Sequence, residues 1–109
     1  MPEPFAIEVD SREGFEVVHV RGELDSGSSG RLAQELDALV GTGTPIVVDL
    51  SGLSFIDSGG LHALMKPRPA ARISVVCPPG NVSRVMSVVR LDHVLPLYER
   101  LEDAVAALP

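Results

Sequence analysis

The residue types best able to do chemistry stand together in Asp57-Ser58-Gly59-Gly60-Leu61-His62. A carboxylate, a hydroxyl and an imidazole are the parts of a nucleophilic triad, which needs a base oriented independently of its nucleophile. The spacing argues against that chemistry. Ile56 occupies the place where a nucleophile elbow needs glycine, and His62 falls one helical turn after Ser58 on the same face. No catalytic residue is therefore assigned. His62 reads as a solvated helix position within reach of a phosphate on Ser58. The other chemistry open to this stretch is acceptance of a phosphate, because a serine at a helix start sits beside free N–H groups and a partial positive charge. Asp57 would orient or cap the turn, and Gly59 and Gly60 would give the backbone room. The same residues also suit a plain N-cap and a tight turn, and the local sequence leaves both readings open.

Other chemistries find less support. His19 falls inside an expected strand and His93 in a loop, neither with a second ligand at metal-binding spacing, so no metal site is expected. Cys77 is the only cysteine, which excludes an intrachain disulfide, and after Val75 and Val76 it reads as a small buried hydrophobe. No Gly-x-x-x-x-Gly-Lys pattern occurs and Lys66 is the only lysine, so nucleotide hydrolysis is not expected and no cofactor is implied. The acidic residues scatter over helix surfaces and turns and read as solvated positions. Nine basic against fifteen acidic residues give a net charge of −6, and aromatics are 4% with no Trp. Such a chain repels a phosphate backbone and lacks stacking platforms, which argues against a nucleic-acid partner.

The elements that must position Asp57 and Ser58 follow from apolar periodicity. A length of 109 residues with 45% hydrophobic and 22% charged content fits one ordinary domain spanning 1–109. No apolar run approaches the roughly 18 residues of a membrane span, and no basic cluster precedes an apolar stretch at the start, so a cytoplasmic location is expected. Phe5 to Val9 and Phe15 to Val20 alternate with period two around turn residues Asp10 to Gly14, predicting a hairpin. Leu32, Leu36, Leu39 and Val40 mark a helix over Arg31 to Val40, with Ser28 or Ser29 as N-cap and Gly41 as terminator. Pro45 to Leu50 reads as a strand buried on both faces in mid-sheet. A second helix starts near Ser58 and stops before Pro67, since Pro67 and Pro69 remove donors. A buried strand over Ile73 to Cys77, a helix faced by Val82, Val85, Met86 and Val89, and a brief strand near Leu95 to Leu97 follow. A last helix carries Leu101, Val105 and Leu108, with Glu102 and Asp103 favouring its start. The order β-β-α-β-α-β-α-β-α implies an α/β fold, a mixed sheet of four or five strands with about four helices.

The stretch Val48-Asp49-Leu50-Ser51-Gly52-Leu53-Ser54-Phe55-Ile56-Asp57-Ser58-Gly59-Gly60-Leu61 resembles the signature of the STAS domain, specifically of the small bacterial anti-sigma-factor antagonists. Gly22-Glu23-Leu24-Asp25 resembles the turn that follows the second strand in that family. The two motifs at this separation, with the element order, make the resemblance specific.

What the resemblance implies is a non-enzymatic partner switch in transcription regulation. The unmodified protein would bind an anti-sigma factor that is also a serine kinase, and phosphorylation of Ser58 would end the binding. A serine phosphatase would complete the cycle. Asp57, Gly59 and Gly60 would support the phosphosite, and Glu23, Asp25, Leu61 and His62 would lie at the partner interface. The chain departs from the family in having Gly59 where a second Ser or Thr is usual, His62 where Gly is usual, and a second helix cut short by Pro67 and Pro69. Those departures keep open an alternative: an unphosphorylated STAS subunit of a transporter or larger signalling assembly. Gly60 matches the signature glycine, where a side chain is expected to obstruct the partner's approach. Pathway, stimulus and oligomeric state are not legible from the sequence.

Overall fold

The computed structural model describes residues 4–108; positions 1–3 and 109 of the expected single domain lie outside the described residues. The elements run β1 (Ala6–Arg12), β2 (Phe15–Leu24), α1 (Ser29–Val40), β3 (Ile46–Ile56), α2 (Ser58–Met65), β4 (Ile73–Val76), α3 (Asn81–Val88), a 3-10 turn (Leu91–His93), β5 (Leu97–Tyr98) and α4 (Leu101–Ala106). The five strands form one sheet in the order β1-β2-β3-β4-β5. β1 is antiparallel to β2, and the remaining pairs are parallel. This is the mixed α/β sheet that the periodicity predicts, with β3 in the middle.

The hairpin is tighter and its strands longer than the sequence suggests. Arg12 pairs with Phe15, so the loop is only Glu13-Gly14, and Gly14 takes a φ of +87° that glycine adopts without strain. Asp10 to Arg12 therefore belong to β1, not to a turn. Likewise, β3 does not stop at Leu50. Ser51 and Gly52, beyond the expected strand end, remain in the strand because β2 continues beside them, pairing Arg21 with Gly52, Gly22 with Leu53 and Leu24 with Ile56. Irregularities between His19 and Arg21 and between Gly22 and Glu23 accommodate the extra length, the second where Gly22 has a φ of +89°. Gly22 to Leu24 are thus the last residues of β2 instead of a turn after it.

Alternation along the strands divides the core. Val18, Val20, Leu24, Ile46, Val48, Leu50 and Val75 point to the face covered by α1, α2 and α3, through Leu32, Leu36, Leu61, Leu64, Val82 and Met86. Val17, Val47 and Val76 face the other way and pack under Ala104 of α4 with Phe15, Tyr98, Leu101 and Leu108. Each fully buried Leu or Val contributes roughly 1.5–3 kcal/mol, so the larger face dominates stability. Cys77 is buried as expected, and burial with the nearby Asp49 charge pushes its thiol pKa up, keeping it neutral.

Candidate functional site

Helix α2 starts directly off the central strand, and Asp57 is the residue that makes the corner. Its backbone is extended (φ −115°, ψ −172°), and its Oδ1 accepts the Gly60 N–H at 3.1 Å in the geometry of an N-cap. Its Oδ2 accepts the Ser26 N–H at 3.3 Å, which ties the β2–α1 connection to the helix start. Both carboxylate oxygens are therefore engaged with backbone, and Asp57 acts as a clamp. The Asp57 carbonyl takes the Leu61 N–H at 3.0 Å, so the N–H groups left at the helix start are those of Ser58 and Gly59. Ser58 is exposed, and its hydroxyl makes no hydrogen bond among the described residues.

The two glycines do different work. A Cβ on Gly60 would lie 2.5 Å from the Leu24 carbonyl oxygen, 2.8 Å from Leu24 Cγ and 2.9 Å from Ile56 Cγ1. Gly60 is buried where α2 crosses the ends of β2 and β3, so its lack of a side chain serves packing inside the domain. This corrects the expectation that the position is kept small for a partner's approach. A Cβ on Gly59 would lie 3.0 Å from Ser26 Cα and 3.2 Å from its nitrogen. The β2–α1 connection passes over the place where a second Ser or Thr would stand, which accounts for that departure.

That connection is itself braced by side chains. Asp25 Oδ1 accepts the N–H groups of Gly27 at 2.9 Å and Ser28 at 3.1 Å, while Ser28 Oγ accepts the Asp25 N–H at 3.0 Å and donates to the Glu23 carbonyl at 2.8 Å. Ser28 occupies the N-cap position of α1 without a side-chain cap bond, because its hydroxyl is spent on this turn.

Of the expected interface residues, Glu23 and His62 are exposed and Asp25 is half-buried, and Glu23 flanks the corner that carries Ser58. Leu61 is different. At 7% exposure it belongs to the core, so it anchors the helix instead of presenting a contact surface. Phe55, overlooked in the sequence, is 45% exposed and pairs in register with Glu23, adding an aromatic surface beside the corner. Strand alternation could have found it, since Ile56 points inward.

A second polar cluster lies on the sheet face that α4 covers only in part. His19 Nδ1 sits 2.8 Å from Asp49 Oδ2, and Asp49 Oδ1 accepts both the N–H of Ser51 at 3.0 Å and its hydroxyl at 2.7 Å. The Ser51 hydroxyl is bonded to the carboxylate and not to the imidazole, so no base is aimed at a nucleophile here. Among the described residues no group of three or more His, Cys, Asp and Glu side chains could hold a metal ion.

The family model described as STAS domain matches residues 6–104. The chain belongs to the STAS domain family. It is similar to the anti-sigma-F factor antagonist RsfB of Mycobacterium tuberculosis, 26% identical over 98% of this chain and 92% of that one. Among solved structures, an anti-sigma factor antagonist from Mycobacterium paratuberculosis is 32% identical, with a TM-score of 0.86 over 95% of this chain and 93% of that one. The unphosphorylated anti-sigma factor antagonist SpoIIAA shares the fold, with a TM-score of 0.69 at 19% identity over 94% of this chain and 100% of that one. A STAS domain is thus built here with Ser58 exposed at the corner and its hydroxyl unbonded among the described residues. No helix among the described residues is long and apolar enough to cross a membrane.

Proposed function

We propose that this protein is an anti-sigma factor antagonist that acts in the cytoplasm as a single STAS domain, with Ser58 as its phosphoacceptor. The unmodified chain binds an anti-sigma factor that is also a serine kinase. Transfer of the γ-phosphoryl group of ATP to Ser58 Oγ, with the hydroxyl proton passing to a base of the kinase, ends that binding, and a serine phosphatase resets it. The observation that carries this reading is the exposed, unbonded Ser58 hydroxyl at a helix start where the Asp57 carboxylate is held by two backbone N–H groups.

The chemistry on both sides of the switch follows from that geometry. The free N–H groups of Ser58 and Gly59 and the helix dipole favour a phosphate at this position, so modification leaves the fold intact. The same phosphate adds about −1.5 to −2 charge, beside the exposed Glu23 and Phe55, where it repels an acidic surface and wets an apolar one. Asp57 holds the corner and takes no part as a base, since both of its oxygens are bound by backbone N–H groups.

Intact-mass measurement after incubation with the cognate kinase and ATP tests the site. One phosphate is expected on the wild-type chain and none on a folded Ser58→Ala variant. Equal labelling of the variant would place the acceptor elsewhere.

A further inference from the structure

At the opposite end of the parallel strands the sheet comes apart. β4 and β5 are joined by the Val75 N–H to the Pro96 carbonyl at 2.9 Å and the Cys77 N–H to the Tyr98 carbonyl at 2.8 Å. One step earlier the ladder would need an N–H from residue 96 on the Ile73 carbonyl, and proline has none. Pairing accordingly begins only at Val75 and Leu97. The chain leading into β5 stands off from β4 and leaves a groove of about 350 Å³ between the start of β4, residues 94–96 and α4.

Its walls are mostly apolar, formed by Ile73, Val94, Leu95, Pro96, Ala104 and Leu108. Three polar side chains interrupt them, Arg72, Ser74 and Tyr98. Ser74 is only 9% exposed, and its hydroxyl has no hydrogen-bond partner among the described residues. Arg72 is exposed, and its side chain has no ion pair or hydrogen bond among the described residues, in a chain where acidic residues outnumber basic ones fifteen to nine. A buried hydroxyl left without a partner is costly until something pairs with it, and native structures leave few such groups.

We infer that this groove binds a small monocarboxylate with an apolar body, its carboxylate held between the Arg72 guanidinium and the Ser74 hydroxyl. One unpaired cation matches one negative charge, and the hydroxyl supplies a second donor to the same group. A doubly charged phosphate would bring more charge than Arg72, the one basic residue on the walls, neutralises. The volume lies at the small end of ligand pockets, which run from about 300 to 1,000 Å³. The groove lies beside the start of β4, which pairs with the start of β3, whereas Ser58 follows the end of β3. By strand rise the two are roughly 30 Å apart, so this site stands independently of the phosphoacceptor.

Amide NMR spectra of the full chain, titrated with octanoate or 4-phenylbutyrate and with 1-octanol as the neutral control, test the assignment. The expected result is a saturable shift confined to residues 72–74, 94–98 and α4, with at least one acid binding tenfold or more tighter than the alcohol. Arg72→Gln, at an exposed and unpaired position, should remove that preference without disturbing the rest of the spectrum. Ser74→Ala should fold, since a methyl replaces an unpartnered hydroxyl, and should weaken the acid several-fold. Shifts that do not saturate with either acid, that fall elsewhere, or that show equal affinity for acid and alcohol would overturn the proposal.

Discussion

The two ends of α2 are fastened to α1 and its approach by opposite means. At the start, backbone meets backbone: Gly60 lies against the Leu24 carbonyl, Gly59 lies under Ser26, and Asp57 holds the Ser26 N–H. At the other end the helix stops at Met65, and the chain is held by long side chains, with Lys66 Nζ and Arg68 Nε each 2.9 Å from the Asp37 carboxylate of α1. Hard contacts between backbones have one solution, whereas the exposed Lys66 pair tolerates many, and Arg68, only 4% exposed, adds a bond from its Nη1 to the Ala63 carbonyl at 2.9 Å. The difference teaches where this short helix is defined. Its start is defined by main-chain contacts, while its end is held by two basic side chains on one carboxylate.

The largest expected effect is at Gly60. A methyl there must displace the Leu24 carbonyl and the side chains of Leu24 and Ile56, so Gly60→Ala should cost about 3 kcal/mol in urea unfolding. Gly59→Ala meets a connection that can yield, and should cost about 1 kcal/mol. A Gly59 variant as damaging as the Gly60 variant would mean that the connection is as rigid as the strand ends.

Next comes the clamp. Asp57→Ala removes an N-cap and the bond to Ser26 together, with an expected loss of about 1–2 kcal/mol, whereas Ser58→Ala should change stability by less than about 0.5 kcal/mol. Thermal melts of the two variants compare the clamp with the proposed phosphoacceptor at adjacent positions. Equal losses would mean that Ser58 is also structural.

The smallest effect belongs to the far end. Hydrogen bonds from Lys66 and then Arg68, with their positive charge, hold the Asp37 carboxyl below its ordinary pKa. A carboxylate whose folded pKa is lowered contributes stability that is present above its unfolded pKa and is lost as pH falls through the folded one. The melting-temperature difference between wild type and Asp37→Asn should therefore be modest near neutrality and shrink towards zero in acid. A difference that stays constant in acid would remove the ion pairs as its cause.

Much of this arrangement was legible in the chain because it is local. Pro67 ends α2 by removing a donor, Asp57 caps by type and position, and the Ile-Val-Val run marks the buried middle strand. What escaped depends on contacts distant in sequence. Ser51 and Gly52 look like a turn until β2 is known to run beside them. The pairing of His19 with Asp49 exists only through the β2–β3 register that sets those residues opposite each other. The reason for Gly60 is the carbonyl of Leu24, a strand-end group that no periodicity reveals. The family resemblance puts Leu61 at the partner interface, yet 3.6-residue geometry turns it inward. Pro96 falls inside the strand expected near Leu95 to Leu97, and its effect on where pairing begins appears only when the ladder from β4 reaches it.

The account rests on Ser58 controlling association from a rigid corner, and the affinity of purified phosphorylated and unmodified protein for the anti-sigma factor measures that control directly. Isothermal titration calorimetry should find the phosphorylated form at least tenfold weaker, with its melting temperature unchanged within a few degrees. Ser58→Ala should bind like the unmodified protein whether or not kinase and ATP are present. Equal affinity of the two forms, or a weakening accompanied by loss of the fold, would contradict the account.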